Sequence, residues 1–429
     1  MGNGLMQATE QIGWRYRLID QIGQGGMGTV FRAEDRLNGE VVALKRVNVT
    51  GVTPQGGLPS TSQHSHLTAM AHEFKTLASL RHPNIIGVRD YGFDKQGLPY
   101  FTMDLLEGAR SILEAGRGRK QDVQFRYLIQ MLEALAYLHR RGILHRDLKP
   151  ENVLVVDDRV KLLDFGLASV PRQQNHDVES DLAVVGTLAY MAPEILYEQP
   201  PAEATDLYAV GVIAYELMAG RHPFPADDPR QLIAAILQEA PDLTVIDADF
   251  SIVRVIGQLL EKDARQRVRS ASEVTNTLRH LLQETQVTST AAHRESFLHA
   301  SRLIGRDDEM RQIMTVFGES LAGQASGILI TGQSGVGKSR LLDEVRIRGM
   351  VRGALVLRGQ AANEANGILR IWQLVFKWLS LVTHHETTTI ASLLPGFTPD
   401  AANTQESASP ETLRERLLEH ILTGIEAAN

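Results

Sequence analysis

Two glycine-rich stretches of the chain have the composition and spacing of phosphate-binding loops. The first, GQGGMGTV, places Gly23, Gly25 and Gly28 in a G-x-G-x-x-G pattern. The second, GQSGVGKS, covers residues 332–339 and fits the pattern G-x-x-x-x-G-K-[ST]. Glycine lets backbone amides approach phosphate oxygens without a side-chain clash. Both stretches therefore predict phosphate sites, and residues elsewhere in the chain decide what chemistry each one supports.

The residues after the first loop distinguish two kinds of nucleotide-binding fold. A dinucleotide-binding loop must open a helix. Here the glycines are followed by the strand-like run TVFRAED and then by LNGE at 37–40, whose Asn-Gly pair predicts a type I′ hairpin turn. The first loop is therefore predicted to lie between two strands and to close over phosphates as a β-turn.

Further motifs follow the first loop in a fixed order. VALK ends in Lys45, where an ammonium can hold the α- and β-phosphates of a nucleotide, and Glu73 lies on a following helix in a position to pair with it. The motifs HRDLKPEN, DFG and APE then supply Asp147, Lys149, Asn152, Asp164 and residues 192–194. This ordered set resembles the two-lobed, eukaryotic-like protein kinase family, and in particular its bacterial serine/threonine branch, over residues 16–282.

The resemblance implies a phosphoryl transfer that depends on alignment and charge neutralisation. Asp147 would accept or orient the proton of the substrate hydroxyl, and Lys149 would neutralise the moving γ-phosphate. Asn152 and Asp164 would hold Mg²⁺ ions that bridge the phosphates of ATP. Lys149, together with Thr187 in GTLAYMAPE, matches the serine/threonine-specific pattern rather than the tyrosine-specific one.

The resemblance also implies an ATP pocket between the sheet and a hinge. Met103 would be the gatekeeper, and Asp104 to Leu106 would form the hinge whose backbone meets the adenine edge. The full set of positions expected to bind ATP is Ile22, Gly23, Gln24, Gly25, Gly26, Met27, Gly28, Thr29, Val30, Ala43, Lys45, Glu73, Met103, Asp104, Leu106 and Leu154.

Two further positions that match the family have structural roles by the same resemblance. Asp206 would hold the backbone of the catalytic loop, and Arg267 would form a buried ion pair with Glu194. The alternative to an active enzyme is a pseudokinase, which keeps the fold and loses the chemistry. Every acid, base and metal ligand is present in this sequence, which favours catalytic competence.

The segment between DFG and APE suggests how activity is controlled. Arg146 stands directly before the catalytic aspartate, where it can pair with a negative charge on this segment. Ser169 and Ser180 are its candidate switch residues, and Ser180 is flanked by Glu179 and Asp181. Our hypothesis is that one of these two carboxylates already pairs with Arg146, so that activity needs little phosphorylation.

The second loop stands in the context that its motif requires. It follows the apolar run GILIT, predicted as a strand, and precedes the helical run RLLDEVRI. Gly332, Gly335 and Gly337 would shape the loop, while Lys338 would contact the β- and γ-phosphates and Ser339 would bind Mg²⁺. Upstream, LIGRDDEMRQI resembles the entry segment of the signal-transduction (STAND) ATPases and related AAA-type modules. A second nucleotide, ATP or another triphosphate, is therefore expected here.

Hydrolysis at the second loop is not predicted. A working P-loop ATPase normally needs a second strand that ends in an acid to hold Mg²⁺, and the strand-like GALVLRGQA has none. The chain ends at Asn429, about where the resembled family would place such a strand, so an incomplete domain is expected. Its expected role is to sense nucleotide, or to scaffold an assembly, next to the kinase.

These sites require a multi-domain chain. The runs YRLIDQIG, GTVFRAEDR and EVVALKRV predict an antiparallel sheet lobe, and FRYLIQMLEALAYLHRRG and DLYAVGVIAYELMAG predict a helical lobe. The fold class is therefore an α+β two-lobed kinase fold followed by a partial α/β P-loop NTPase domain. The predicted boundaries are 1–15 for an N-terminal extension, 16–282 for the kinase (lobes 16–106 and 107–282), 283–300 for a linker and 301–429 for the P-loop domain.

Composition excludes several classes of protein. The net charge of −7 argues against a general nucleic-acid or membrane-surface binder, and the absence of cysteine excludes disulfides and thiol catalysis. Neither a signal peptide nor a run of about 18 apolar residues is visible, so a cytoplasmic protein is expected. His64, His66 and His72 lie close in sequence, but the first two fall in a Gly- and Ser-rich loop, so a metal site is disfavoured.

The sequence thus predicts a signalling enzyme, a serine/threonine protein kinase that transfers the γ-phosphate of Mg-ATP to protein substrates and to itself. One alternative is a nucleotide-switched scaffold or transcriptional regulator in which the kinase fold binds partners. Another is an ATPase with a kinase-like accessory lobe. The intact HRDLKPEN and DFG motifs favour the kinase, and neither a helix-turn-helix pattern nor an acidic second strand supports the alternatives.

Overall fold

A computed structural model of the chain describes residues 10–25, 28–47, 79–94, 96, 98–164, 188–226, 228–282, 305–352, 354–359, 374–375, 377–378 and 381. Several predicted features lie outside these residues. They are Gly26, Met27, the three histidines at 64–72, Glu73, Ser169, Glu179, Ser180, Asp181, Thr187 and the linker at 283–300.

The small lobe is built on one antiparallel sheet in the order β1-β2-β3-β4-β6-β5. The strands are β1 Gln11–Ile12, β2 Tyr16–Gly25, β3 Gly28–Asp35, β4 Val41–Val47, β5 Val88–Phe93 and β6 Pro99–Asp104. The predicted sheet lobe is confirmed. β1 extends this sheet upstream of residue 16, because its register with β2 buries Ile12 beside Tyr16 in the core of the lobe.

The β3–β4 connection is a hairpin, as expected, but its turn is not type I′. A type I′ turn needs positive φ at both central residues, whereas in LNGE only Gly39 has it, at +76°. The carbonyl of Asp35 accepts hydrogen bonds from the N–H groups of Asn38 (3.2 Å) and Gly39 (2.7 Å). The Asn38 side chain accepts the N–H of Glu40 at 2.9 Å, so asparagine acts here through its side chain rather than through its backbone conformation.

The large lobe is helical and carries a small second sheet. Its helices are α1 Ile112–Gly116, α2 Gln121–His139, α3 Pro193–Leu196, α4 Glu203–Ala219, α5 Pro229–Gln238, α6 Phe250–Leu259 and α7 Ala271–Leu281, and its strands are β7 Arg110–Ser111, β8 Val153–Val156 and β9 Arg159–Leu162. α4 is buried on most of its surface and ends at Gly220, which takes the left-handed conformation that stops a helix. This confirms the predicted helical lobe.

The C-terminal unit contributes α8 Asp307–Leu321 and α9 Lys338–Val351. The two helices pack through Met310 and Ile313 of α8 and Leu341 of α9. The runs at 327–331 and 354–359, which the sequence predicts as strands, are extended but form no strand within the described residues. A strand needs a hydrogen-bonded neighbour, and the described part of the chain supplies none to either run, which leaves Leu329 89% exposed.

Within the described ranges, every helix is too short or too polar to cross a lipid bilayer.

Candidate active site

The first glycine-rich loop is the end of the β2–β3 hairpin. The two strands stay paired up to Gly25 and Gly28, which face each other, so the prediction that this loop lies between strands is confirmed. Gly28 has φ of +150°, and a Cβ built on it would lie 2.1 Å from the carbonyl oxygen of Arg46 on β4. Glycine is therefore required at position 28 because β3 and β4 approach each other closely there. The motif alone does not give this reason.

The remaining predicted ATP positions lie on neighbouring strands. Ala43 on β4 faces Met103 on β6, and both are buried. Val30 and Leu106 pack against the same core from partly exposed positions. The other predicted positions are distributed over four strands, with Ile22, Gly23 and Gln24 on β2, Thr29 on β3, Asp104 at the end of β6 and Leu154 on β8.

Lys45 connects the two lobes. Its side chain projects from β4 and is nearly buried, with the residue 6% exposed, and its Nζ lies 2.6 Å from Oδ1 of Asp164. Asp164 follows β9 in the large lobe and has φ of +46°, a conformation uncommon for a residue with a side chain. The predicted partner of Lys45, Glu73, lies outside the described residues, and the structure places the ammonium on Asp164, the expected metal ligand.

The catalytic loop, residues 145–152, brings three predicted residues together. The Nδ2 of Asn152 donates to the backbone oxygen of Asp147 at 2.7 Å and to its Oδ2 at 3.0 Å. The Nζ of Lys149 lies 3.3 Å from the same Oδ2. Asp147 is therefore held by an amide and an ammonium, which fixes the direction of its carboxylate while leaving its second oxygen for other contacts.

Asp206 holds the start of this loop in an unfavourable backbone conformation. Arg146 has φ of +64°, and Asp206 accepts the N–H groups of His145 at 2.8 Å and of Arg146 at 2.9 Å. This is the contact expected for Asp206. Left-handed backbone at a non-glycine residue costs on the order of 1–3 kcal/mol, so it persists only where neighbours impose it.

His139, near the end of α2, completes the support of Asp206. Its Nε2 lies 2.8 Å from Oδ2 of Asp206, and both side chains are buried. Burial would raise the pKa of Asp206, but the hydrogen bond from His139, the nearby His145 and the two backbone N–H groups lower it overall. Sequence reasoning missed His139, since no local signal connects it to a partner 67 positions along the chain.

His145 joins the catalytic loop to the segment that carries Asp164. Its ring Nε2 lies 3.0 Å from the carbonyl oxygen of Leu163, and the N–H of Leu163 donates to the carbonyl of Asn152 at 2.9 Å. Burial lowers the pKa of His145, so its imidazole is neutral near pH 7 and donates one hydrogen bond to that carbonyl. The catalytic loop and the expected metal ligand are thus fixed to each other.

The ion pair expected between Arg267 and Glu194 is present and buried. The two Nη atoms of Arg267 each lie 2.8 Å from one carboxylate oxygen of Glu194, and the hydroxyl of Thr205 donates to the same carboxylate at 2.8 Å. Burial opposes ionisation of Glu194, but the guanidinium lowers its pKa overall. The pair anchors the segment that follows APE to the helices of the large lobe.

The donor set at this site suits Mg²⁺. Because Nδ2 of Asn152 is engaged with Asp147, the amide oxygen of Asn152 remains as an acceptor, and Asp164 supplies a carboxylate. Oxygen ligands from one or two side chains, completed by substrate phosphates, are the usual environment of Mg²⁺. No cluster of three or more acidic or histidine side chains forms a metal site by itself in the described part of the chain.

The second loop has the backbone that its motif predicts. Gly332, Gly335 and Gly337 have φ of +156°, +81° and +94°, where a side chain would be strained. α9 begins at Lys338, whose Nζ donates to the carbonyl oxygens of Gly332 at 2.8 Å and Gln333 at 2.7 Å. The ammonium of Lys338 therefore joins the end of the loop to the carbonyls at its start. Ser339 follows in the first turn of the helix.

Two family models match the chain. The model described as protein kinase domain matches residues 16–293, and the model described as AAA ATPase domain matches residues 302–428.

Curated relatives match the first part of the chain. A probable serine/threonine-protein kinase of Streptomyces coelicolor is 31% identical over 296 residues, which are 67% of this chain and 43% of the relative. The serine/threonine-protein kinase pkn3 of Myxococcus xanthus is 33% identical over 299 residues, 66% of this chain and 53% of the relative. The DNA damage-responsive serine/threonine-protein kinase RqkA of Deinococcus radiodurans is 33% identical over 270 residues, 61% of this chain and 39% of the relative. The chain thus spans about half the length of these relatives or less.

Proposed function

This chain belongs to the protein kinase family, and we propose that it is a serine/threonine protein kinase of signal transduction. It would transfer the γ-phosphate of Mg-ATP to serine and threonine hydroxyls of protein substrates, including its own. The names of its bacterial relatives support the specificity for serine and threonine. We further propose that it acts in the cytoplasm, where ATP is supplied.

One observation carries this proposal. Nδ2 of Asn152 lies 3.0 Å and Nζ of Lys149 lies 3.3 Å from Oδ2 of Asp147, and Nζ of Lys45 reaches Oδ1 of Asp164 across the two lobes at 2.6 Å. Each of these contacts orients a group that phosphoryl transfer needs. A scaffold that only binds partners would not require this arrangement.

The residues divide the reaction between them. The free carboxylate oxygen of Asp147 takes the proton of the substrate hydroxyl. At the same time, the hydroxyl oxygen of the substrate forms a bond to the γ-phosphorus. The bond from that phosphorus to the bridging oxygen breaks, and ADP leaves with the electron pair. Lys149 balances the charge on the transferred group, and Lys45 holds the α- and β-phosphates. Mg²⁺, held by Asn152 and Asp164, would neutralise the phosphate oxygens when it is bound with ATP.

The test is phosphotransfer from γ-labelled Mg-ATP to myelin basic protein and to the chain itself, followed by acid hydrolysis and separation of the phosphoamino acids. We expect label on serine and threonine, and a loss of about 10²–10⁴-fold in Asp147→Asn, the range for a general base. Asp158→Asn is the matched control, since Asp158 lies in the exposed β8–β9 turn with φ of +56°, which asparagine tolerates. Label on tyrosine alone, or equal rates in Asp147→Asn and wild type, would refute the proposal.

We also propose that the P-loop, residues 332–339 of a unit that we expect to span 301–429, binds a nucleoside triphosphate with Mg²⁺. The three positive-φ glycines and the position of Lys338 at the start of α9 support it, since amides and a helix N-terminus favour phosphate. ATP binding by calorimetry in a Lys45→Ala background would test it. We expect one site, absent when Lys338→Ala is added; an unchanged isotherm would contradict it.

A further inference from the structure

The helix that begins at the P-loop belongs to two hydrophobic cores at once. Near its start, Leu341 packs with α8 in the core of the C-terminal unit. Further along, Ile347 and Met350 are 2% and 4% exposed and join the main core of the kinase. Burial of two such apolar side chains against another domain stabilises the contact. α9 is therefore fixed to the kinase by its second half.

On the small lobe, α9 contacts β5, the edge strand of the sheet. The Nη1 of Arg346 donates to the backbone oxygen of Arg89 at 3.4 Å. Burial lowers the pKa of Arg346, the charge of Arg81 lowers it further, and Asp343 and Asp90 oppose them. The hydrogen bond to Arg89 and the charge of Asp90 thus connect this guanidinium to β5.

On the large lobe, a charge on α9 acts on an arginine that follows α2. Arg141 follows α2 and stacks on the ring of Tyr137, with 4.7 Å between its guanidinium carbon and the ring centroid. Burial lowers the pKa of Arg141, with Tyr137 opposing, and the charge of Arg340 on α9 adds to the lowering. Arg340 and Arg346 are about 9 Å apart along the axis, at 1.5 Å per residue. Arg340, near the start of α9, is thus close enough to the end of α2 for its charge to act on Arg141.

Arg89 is shared between α9 and the expected adenine hinge. Its backbone oxygen accepts the bond from Arg346, while its Nε donates to Oδ1 of Asp104 at 2.7 Å. The N–H of Asp104 in turn donates to the carbonyl of Gly87 at 3.2 Å. A shift of β5 under α9 would therefore change the position of the first hinge residue.

The segment just before β5 reaches the metal ligand as well. The N–H of Ile86 donates to the carbonyl of Leu162 at 3.0 Å, and the N–H of Leu162 donates to the carbonyl of Asn84 at 2.9 Å. Leu162 ends β9 and stands two positions before Asp164. The strand that α9 touches is thus hydrogen-bonded, through adjacent residues, to both ends of the ATP site.

A second contact joins the same two parts of the chain. The ring of Trp14, in the turn between β1 and β2, meets the ring of Trp378 edge-on, with centroids 6.3 Å apart. Trp378 lies beyond α9 in the C-terminal unit. Aromatic pairs of this geometry add to the stability that comes from the area they bury, so the docking does not depend on α9 alone.

We propose that α9 couples the two nucleotide sites, so that a triphosphate bound at the P-loop tightens the binding of ATP in the kinase. The inference rests on the proposed P-loop site. Phosphate in the loop would compete with the carbonyls of Gly332 and Gln333 for Lys338, and would stabilise the N-terminus of α9. A more rigid α9 holds β5 and Arg89, and so orders the hinge. By linkage, ATP in the kinase tightens the P-loop by the same factor.

Hydrogen exchange on the full chain tests the coupling. Mg-ATP is added to a Lys45→Ala variant, so that filling of the P-loop is followed without ATP in the kinase. We expect slower exchange at residues 332–343, and slowing of at least about fivefold at 84–93 and 100–106.

Met350→Ala should abolish the slowing at 84–93 and 100–106 and leave the slowing at 332–343. Arg348→Ala is the matched control, because Arg348 pairs with Glu344 on α9 itself, and it should preserve both. Arg346→Ala, which removes the hydrogen bond to Arg89 and leaves Ile347 and Met350 in place, still tests the coupling if Met350→Ala unfolds.

The outcomes separate the coupling from the site on which it rests. Protection at 332–343 with no change at 84–93 would refute the coupling and leave the P-loop site intact. No protection at 332–343 would remove both. In kinase assays, Lys338→Ala should raise the KM for ATP by at least about fivefold in the wild-type background and by less than about twofold with Met350→Ala. An equal shift in the two backgrounds would refute the route through α9.

Discussion

The two phosphate-binding regions differ in where their contacts come from. In the kinase site, Lys45 stands on a strand of one lobe, Asp164 follows a strand of the other, and the loop that carries Asp147 is held by Asp206 on α4. In the P-loop, the lysine and the carbonyls that it binds lie within six positions of each other. One site is assembled by the whole fold, and the other by a single turn.

This difference has an energetic consequence. A site assembled from distant elements shares its contacts with the core, so its supports also stabilise the fold. A site made by one exposed turn can lose its function at little cost in stability. Substitution of the residues that hold the kinase site in place should therefore lower the free energy of unfolding. Substitutions in the P-loop should weaken ligand binding with little effect on stability.

The largest expected effect is at the buried ion pair. Arg267→Ala leaves the carboxylate of Glu194 buried with only Thr205 as a side-chain donor, and we expect it to lower the free energy of unfolding by about 3–5 kcal/mol. Arg265→Ala is the control two positions away, since its ion pair with Asp263 is exposed, and it should lower the free energy of unfolding far less. Urea unfolding measures both, and equal losses would remove the distinction between buried and exposed pairs.

The next effect is at the first glycine-rich loop. Gly28→Ala places a Cβ against the backbone oxygen of Arg46 on β4, and we expect a loss of about 1–3 kcal/mol from forced separation of the strands. Gly39→Ala is the control for positive φ alone, because no atom lies within 4 Å of its Cβ position. The thermal midpoint and the KM for ATP should both change more for Gly28→Ala. A larger loss for Gly39→Ala would contradict the steric explanation.

A smaller effect on the free energy of unfolding is expected when the pH is lowered. Burial holds the pKa of His145 below its ordinary value, so as pH falls below about 6.5 the unfolded chain takes up a proton that the folded chain does not. The neutral imidazole therefore stabilises the fold at higher pH. As the pH is lowered, the free energy of unfolding should fall by up to about 1.4 kcal/mol for each pH unit. Unfolding by urea from about pH 7 to about pH 5.5 measures the slope. His145→Gln should reduce the slope by about one proton; an unchanged slope in this variant would overturn the assignment.

The smallest effect on stability is expected at the P-loop. Lys338→Ala removes an exposed bridge between the ammonium and two carbonyls, and should change the free energy of unfolding by no more than about 0.5 kcal/mol. Nucleotide binding at that loop should nevertheless be lost. Calorimetric binding and thermal unfolding on the same sample check the pair of outcomes. A large loss of stability would show that this loop, too, is supported by distant contacts.

The sequence predicted most where a feature is local. The β2–β3 glycine hairpin, the helices α2 and α4 and the left-handed glycines of the P-loop all follow from short motifs and periodicity. The roles of Asp206 and Arg267 came only from the family resemblance, and the structure supplies their contacts.

Features that depend on distant partners were missed or mistaken. His139 is meaningful only because the fold brings it to Asp206. The Asn-Gly pair indicated a hairpin, but the choice of turn depended on the side chain of Asn38 and on the carbonyl of Asp35. The apolar run at 327–331 is a strand by composition, yet a strand exists only where another pairs with it. Nothing in the sequence of α9 indicates that Ile347 and Met350 pack on the kinase.

The most direct test of the division between the two sites is phosphotransfer from γ-labelled Mg-ATP by wild type, Asp164→Ala and Lys338→Ala, measured side by side over a range of ATP concentrations. We predict that Asp164→Ala loses about 10³-fold in rate, the scale of losing a group that stabilises transition-state charge. Lys338→Ala should keep the reaction, with a raised KM for ATP. Retention of transfer in Asp164→Ala together with its complete loss in Lys338→Ala would place the chemistry at the P-loop and contradict this account.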